Sequence, residues 1–308
     1  MKIDSEIACR DLSTLRDMVR WAISRFMEYE VFLGHGYEDP WDEALQLVFL
    51  SVYLPVDIDP KVFDARLTQT EKELVVENIR RRVEERCPTA YITRQAWFAG
   101  LPFYVDERVI VPRSPIAELI ESDFSPWLAG VPNSVLDLCC GSACIGIACA
   151  MQFPDASVSA ADISEDALDV AQINCTNFEL EDSLSLVQSD LFSGLTGQTF
   201  DLIVSNPPYV DDADIQSMPQ EYHHEPSLSL GAGQDGLSIV RKILAQAADF
   251  LNDEGVLVVE VGNSQYALND AFPTVPFLWL EFERGGDGVF LLEKRQLIEF
   301  KNQFALTV

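Results

Sequence analysis

Hydrophobic positions recur along this chain with two different periods, and the change falls near residue 130. Leu12, Leu15, Met18, Val19, Ala22, Ile23 and Phe26 stand at i, i+3, i+4, i+7 spacing. That spacing predicts an amphipathic helix, because 3.6 residues per turn gather those positions on one face. A Gly34-His35-Gly36 turn follows, then Asp39-Pro40 and a second helix from Trp41; Thr68 begins a third, charged helix reaching Arg86. Trp97-Phe98, Phe103-Tyr104-Val105 and Val109-Ile110-Val111 predict short strands joined by turns, and Val111-Pro112-Arg113-Ser114-Pro115 reads as a proline-marked hinge. Residues 1–112 are therefore expected to form a smaller N-terminal helical domain with a hairpin.

Beyond residue 130 short apolar runs alternate with helical stretches. Val135-Leu136-Asp137-Leu138 is a strand and residues 145–152 its helix; residues 157–161 are a second strand. Ser164 caps the next helix, and Glu165 and Asp166 suit its positive end. Further strands are expected over 184–187, 202–205 and 256–261. Such alternation predicts an α/β domain with a mostly parallel sheet, since parallel neighbours need crossover connections. Residues 277–282 and 289–292, joined by Gly285-Gly286-Asp287-Gly288, predict an antiparallel C-terminal hairpin. The expected second domain covers residues 113–308.

Composition narrows the classes. The apolar run over 48–56 is too short to span a bilayer. Met1-Lys2-Ile3-Asp4-Ser5-Glu6 carries no apolar leader, so a cytoplasmic location is expected. Seven cysteines include Cys139, Cys140, Cys144 and Cys149 within eleven residues, without C-x-x-C spacing. They read as reduced, small apolar residues rather than metal ligands. The 50 acidic against 21 basic residues give a net charge of −29. That weighs against direct nucleic-acid binding, which needs Lys and Arg to replace phosphate counterions. It suits either attraction of a basic protein partner or solubility alone.

The candidate chemistry lies at strand ends. The first strand runs into Asp137-Leu138-Cys139-Cys140-Gly141-Ser142-Ala143, a small-residue loop that lets a ligand approach the backbone. The second strand leads to Asp162, placed to accept ribose hydroxyls. The G-x-G-x-x-G pattern and nearby basic residues are missing, so a sulfonium- and ammonium-bearing ligand fits better than a phosphate. After the apolar strand over 202–205 stands Asn206-Pro207-Pro208-Tyr209. An amide or amine NH₂ group conjugated to a π system attacks a methyl group poorly, because its lone pair is delocalised. The Asn206 side-chain carbonyl and the Pro207 backbone carbonyl are two acceptors able to grip both N–H bonds and aim that lone pair. The prolines stiffen the loop, and Tyr209 offers a flat face to a planar substrate.

These elements, in this order, resemble class I S-adenosylmethionine-dependent methyltransferases of the glutamine amide. The nearest likeness is to the ribosomal protein L-three glutamine methyltransferases. Further matching segments are Gly34-His35-Gly36 with Pro40-Trp41-Asp42-Glu43-Ala44, the 111–115 hinge, Tyr222-His223-His224-Glu225-Pro226 and Gly285-Gly286-Asp287-Gly288-Val289-Phe290. The resemblance implies a Rossmann-like catalytic domain and S-adenosylmethionine held by Asp137, Cys139, Gly141, Ala143, Asp162, Asp190, Leu191 and Asn206. It implies catalysis at Asn206, Pro207, Pro208 and Tyr209, an N-terminal domain that recognises substrate, and a basic large-subunit ribosomal protein as that substrate. The wider class carries glycine where this chain has Cys139 and Ala143, and Ala143 is expected to narrow the methionine end of the cofactor site. A release-factor glutamine methyltransferase, an adenine N6-methyltransferase and a non-enzymatic assembly factor remain alternatives. His35, His223 and His224 are expected to pack loops or face solvent. Arg113 and Glu118 either clamp the hinge to the active site or belong to an exposed loop and helix start.

If the charge of −29 steers a basic protein partner, stopped-flow association rates should fall as salt rises, because the Debye length shrinks from ~10 Å at 0.1 M. A flat rate across that range would assign the acidity to solubility.

Overall fold

The computed structural model describes residues 4–37 and 39–305; Met1, Lys2 and Ile3 of the polar N-terminus lie outside it. The chain divides into two units, Met1–Ala96 with Pro219–His224, and Trp97–Met218 with Glu225–Val308.

The first unit contains α1 (Ser5–Asp11), α2 (Leu15–Glu28), α3 (Pro40–Ser51), α4 (Gln69–Glu84) and α5 (Thr89–Thr93). The helix expected from Leu12 begins instead at Leu15, because Thr14 caps it, and a separate short helix, α1, ends before Leu12. The Thr14 hydroxyl accepts from Asp17 N–H while the Asp17 carboxylate accepts from Thr14 N–H. Leu12 is buried although it lies outside the helix, so the periodicity marked core positions rather than one continuous element. Thr68 and Glu71 make the same reciprocal cap for α4. Met18, Val19, Ala22, Leu47, Val48, Val75 and Ile79 form the core between α2, α3 and α4.

An ion network is sealed in this unit. Arg82, 1% exposed, donates through Nε to Glu43 Oε1 at 2.5 Å and through Nη1 to Glu221 Oε1 at 3.3 Å. Its Nη2 donates to the Phe32 carbonyl at 2.6 Å. Thr89 donates to Glu43, and Phe32 N–H donates to Glu221. Burial of this kind holds only when every charge has partners. It fastens Pro219–His224, which follows the tetrapeptide by ten residues of chain, into the helical unit.

The second unit opens with β1 (Ala96–Phe98) and β2 (Leu101–Phe103), a two-stranded sheet, while residues 109–111 form no strand. This hairpin was expected with the helices, under a boundary at 112. Phe98 and Phe103 instead bury themselves in the core of the larger unit, which moves the division back to 96/97. Next come α6 (Ile116–Glu121), β3 (Ser134–Leu138), α7 (Cys144–Gln152), β4 (Ser157–Asp162), α8 (Glu165–Asn177), β5 (Leu184–Gln188), β6 (Phe200–Ser205) and α9 (Asp212–Ser217). They are followed by α10 (Ser238–Gln246), β7 (Leu251–Glu260), α11 (Gln265–Ala271), β8 (Leu278–Trp279), β9 (Val289–Glu293) and α12 (Lys294–Ala305).

Seven strands lie in the order β5-β4-β3-β6-β7-β9-β8. The first five are parallel; β9 is antiparallel to β7 and β8 to β9. The expected α/β sheet with an antiparallel C-terminal hairpin is present, although β8 is only two residues long. Its strands are buried on both sides: Val135, Leu202, Val204 and Val258 face one core, and Leu136, Leu138, Ile203 and Val259 the other. Order reverses between β3 and β6, where Leu138 pairs with Ser205. The carboxyl ends flanking such a switch point diverge and leave a crevice for ligands.

Arg82→Met should destabilise the helical unit by about 3–5 kcal/mol, since it leaves the Glu43 carboxylate buried without its cation and Glu221 with Arg86 alone. Urea titration followed by circular dichroism reads the loss; a midpoint within error of wild type would contradict it.

Candidate active site

A cavity of about 820 Å³, counting its open mouth, lies at this switch point. Cys139, Gly141, Asp162, Asp190, Leu191, Asn206 and Pro208 line it together with Ile110, Leu138, Ala161, Ile163, Ser189, Leu228, Ser229, Gly231 and Ile239. Sequence reasoning named the first seven. Asp137, Ala143, Pro207 and Tyr209 are not on the wall.

Asp137 lies directly beneath the loop. It is 1% exposed, its Oδ2 accepts from Gly146 N–H at 2.8 Å, and its Oδ1 has no protein partner. Burial pushes its carboxyl up to about 7; the Gly146 N–H opposes the rise and the charge of Asp162 adds to it. A β-carbon at Gly146 would stand 3.1 Å from Oδ2 and 3.2 Å from the Asp137 β-carbon, so glycine permits this close joint between β3 and α7. Asn174, completely buried on α8, holds the loop from the other side. Its Nδ2 donates to the carbonyls of Ser142 and Tyr104, and its Oδ1 accepts from Tyr104 N–H at 2.7 Å.

Cys139 and Ala143 adopt φ of 62° and 58°, the left-handed region that favours glycine. The loop keeps a glycine-like path at a strain of about 1–2 kcal/mol per residue. Cys139 reaches the cavity, and burial pushes its thiol up, a rise to which the charge of Asp162 adds. Ala143 points into the core. Its expected narrowing of the cofactor site is therefore replaced by backbone strain at the start of α7. All seven cysteines are free thiols.

Asp162, ending β4, accepts from Gly141 N–H and Ser164 N–H, both at 2.9 Å, through different oxygens. Each oxygen retains a further lone pair for a ligand hydroxyl. Ser189 ties down the turn after β5: it donates to the Leu191 carbonyl at 2.5 Å and accepts from Gly194 N–H at 2.8 Å.

The tetrapeptide leaves β6 at Ser205, whose hydroxyl donates to the Leu138 carbonyl at 2.7 Å and locks the two strand ends together. Pro207 is buried beneath the surface. Tyr209 faces away from the wall: its hydroxyl donates to Glu260 Oε1 at 3.0 Å, and its carbonyl accepts from Ser264 at 2.8 Å. Glu260 also accepts from Ser114 at 2.5 Å; burial raises its carboxyl, which these hydroxyls and nearby Arg113 oppose. Leu228, Ser229 and Gly231 reach the wall because Val210 donates to the Leu230 carbonyl and accepts from Ala232 N–H. No local pattern marked those residues.

The remaining candidates have structural partners. Arg113 makes a two-pronged pair with Glu225 at 2.5 and 2.7 Å, which ties the 111–115 segment to residues 225–226. Glu118 accepts from the backbone of Glu283 and Arg284. In the helical unit His35 is buried against the Tyr222 ring, and His224 Nε2 meets the Glu85 carbonyl at 2.9 Å.

Residues 125–222 match the methyltransferase small domain family. A ribosomal protein uL3 glutamine methyltransferase from Francisella tularensis is 50% identical over 296 residues, covering 96% of this chain and 94% of that protein. Its counterpart in Neisseria gonorrhoeae is 49% identical and covers 94% and 98% respectively. The chain belongs to this methyltransferase family. A methyltransferase crystal structure from Pyrococcus furiosus aligns over 63% of this chain and 89% of that one, at 20% identity and a TM-score of 0.46, too distant to bear on function.

The site fits the family's methyl donor, S-adenosylmethionine. Asp162 and Asp190 put carboxylates on a wall without lysine or arginine, and Asp137 keeps an unpartnered buried oxygen below the loop. The wall carboxylates suit a ligand carrying cationic groups and ribose hydroxyls. Asp162→Ala should weaken S-adenosylhomocysteine binding by about 1.5–3 kcal/mol, the worth of a charged acceptor. Unchanged affinity in a calorimetric titration would remove Asp162 from the cofactor site.

Proposed function

We propose that this chain methylates the side-chain amide nitrogen of a glutamine in ribosomal protein uL3. The observation that carries this reading is Asn206-Pro207-Pro208-Tyr209 at the carboxyl end of β6, beside the Asp162 and Asp190 cavity. The near full-length identity with enzymes of that name supports it.

Asp162, Asp190 and the 139–141 loop would hold S-adenosylmethionine, which would supply a methyl group on a sulfonium. The protein's task is to make an amide nitrogen nucleophilic. Asn206 accepts one N–H through its side-chain carbonyl, and the Pro207 backbone carbonyl accepts the other. With both N–H bonds fixed, the amide cannot rotate freely and its lone pair points along the line of attack. Pro207 and Pro208 keep the two acceptors at a constant separation. An amide nitrogen that had taken the methyl group would be acidic and would give its proton to solvent, so no strong general base is required of this chain.

The substrate is a basic protein, and −29 of net charge favours its capture. The helical unit is the natural candidate for recognising it, because the cavity accounts for the cofactor within the other unit alone. No helix among the described residues is long and apolar enough to cross a membrane, in keeping with a cytoplasmic enzyme acting on ribosomal protein.

Asn206→Ala should lower the single-turnover rate at saturating cofactor by about 10²-fold or more, as expected for a misplaced reactant, while cofactor affinity stays largely intact. Asn206→Asp keeps an acceptor of the same shape and should recover part of that loss. The assay uses labelled cofactor with unmethylated uL3 and peptide mass spectrometry. Near wild-type turnover in the alanine variant would overturn the amide-gripping role.

A further inference from the structure

Stability alone gives no reason for an acid at the end of β7. Glu260 is 5% exposed and follows four buried residues, Val256, Leu257, Val258 and Val259. A buried carboxylate at such a position is generally no more stabilising than an apolar residue of similar size. Its two oxygens are each engaged by a hydroxyl, Ser114 on Oε2 and Tyr209 on Oε1. The Ser114 oxygen itself accepts from Ile116 N–H at 3.2 Å, so its own proton is left to point at Glu260.

The Tyr209 ring is bounded on a second side. Gly262, two residues beyond Glu260, has φ +45°, and a β-carbon there would lie 2.7 Å from Tyr209 Cε2. Gly288 in turn presses on Gly262: its own β-carbon would fall 2.2 Å from the Gly262 carbonyl oxygen, while its carbonyl accepts from Val261 N–H at 2.7 Å. Backbone therefore fixes the ring's edge, a serine fixes its main-chain carbonyl, and the carboxylate fixes its tip.

We infer that Glu260 is a positioning residue for methyl transfer, which sets the plane of Tyr209 and, through the backbone of the tetrapeptide that Tyr209 anchors, the placing of Asn206. This rests on the amide-methylation reading above. Glu260 is not on the cavity wall, so it acts through Tyr209. Ser114 serves the same end by orienting the carboxylate.

Two observables test it. In single-turnover methylation of uL3, Glu260→Gln should lower the rate about tenfold while KM for the cofactor stays put, as expected for a displaced group distant from the cofactor. In a Tyr209→Phe background the same substitution should change the rate by less than about twofold, because the link it breaks is already gone. Equal losses in both backgrounds would reduce Glu260 to a structural residue. Independently of activity, the ζ-¹³C NMR signal of Tyr209, assigned by its absence from Tyr209→Phe, should shift in Glu260→Gln. An unmoved signal overturns the proposal even if wild type proves inactive on uL3, an outcome that would instead sink the substrate reading. Should Glu260→Gln fail to fold, Ser114→Ala withdraws one hydroxyl donor and reads both observables, with a smaller loss expected in the same direction.

Discussion

The joint between β3 and α7 hangs on one hydrogen bond, from Gly146 N–H to the Asp137 carboxylate. A β-carbon at 146 would crowd that carboxylate at 3.1 Å. The helix can therefore rest close against the strand end, and the loop between them is forced outward over the switch point. The cavity's position is a consequence of that close approach. Asn174 and Asp162 then hold the loop from its two flanks by bonds to its backbone. Those bonds explain how left-handed backbone at Cys139 and Ala143 persists without glycine: the surroundings over-determine it.

Acidic residues recur at the carboxyl ends of this sheet. Asp137 lies in β3, Asp162 ends β4, Asp190 follows β5 and Glu260 ends β7. Their environments divide the work. Asp162 and Asp190 reach the cavity, whereas Asp137 and Glu260 are sealed beneath it and their carboxyls are raised by burial. Cationic ligands are favoured above, while below the same residue types act as hydrogen-bond acceptors that fix a loop and a ring.

Much of this was legible from local pattern. Alternating apolar runs marked the five parallel strands, and the proline-rich tetrapeptide announced itself because its chemistry sits in four adjacent residues. What escaped depended on distant neighbours. Glu260 looks like a break in an apolar strand until Tyr209 and Ser114 are seen to meet it. Asn174 is an ordinary polar position in α8 until Tyr104 and Ser142 close around it. The prolines of the 111–115 hinge suggested a domain boundary because they stiffen the chain, but the unit boundary follows burial of Phe98 and Phe103, which no neighbouring residue reports. Leu228 and Ser229 joined the cavity wall through backbone pairing with Val210, invisible in side-chain sequence.

The return of Pro219–His224 to the helical unit affects how the chain is made. Arg82 and Glu43 emerge from the ribosome early, but Glu221 follows only after most of the sheet has been synthesised. At about 5–20 residues per second, roughly 7–28 seconds separate Glu221 from Arg82. During that interval the guanidinium has one of its two carboxylates, and the Phe32 N–H lacks its acceptor. The first unit to begin folding is thus among the last to be completed, and residues 1–96 expressed by themselves would carry a buried cation tuned to a partner encoded far downstream.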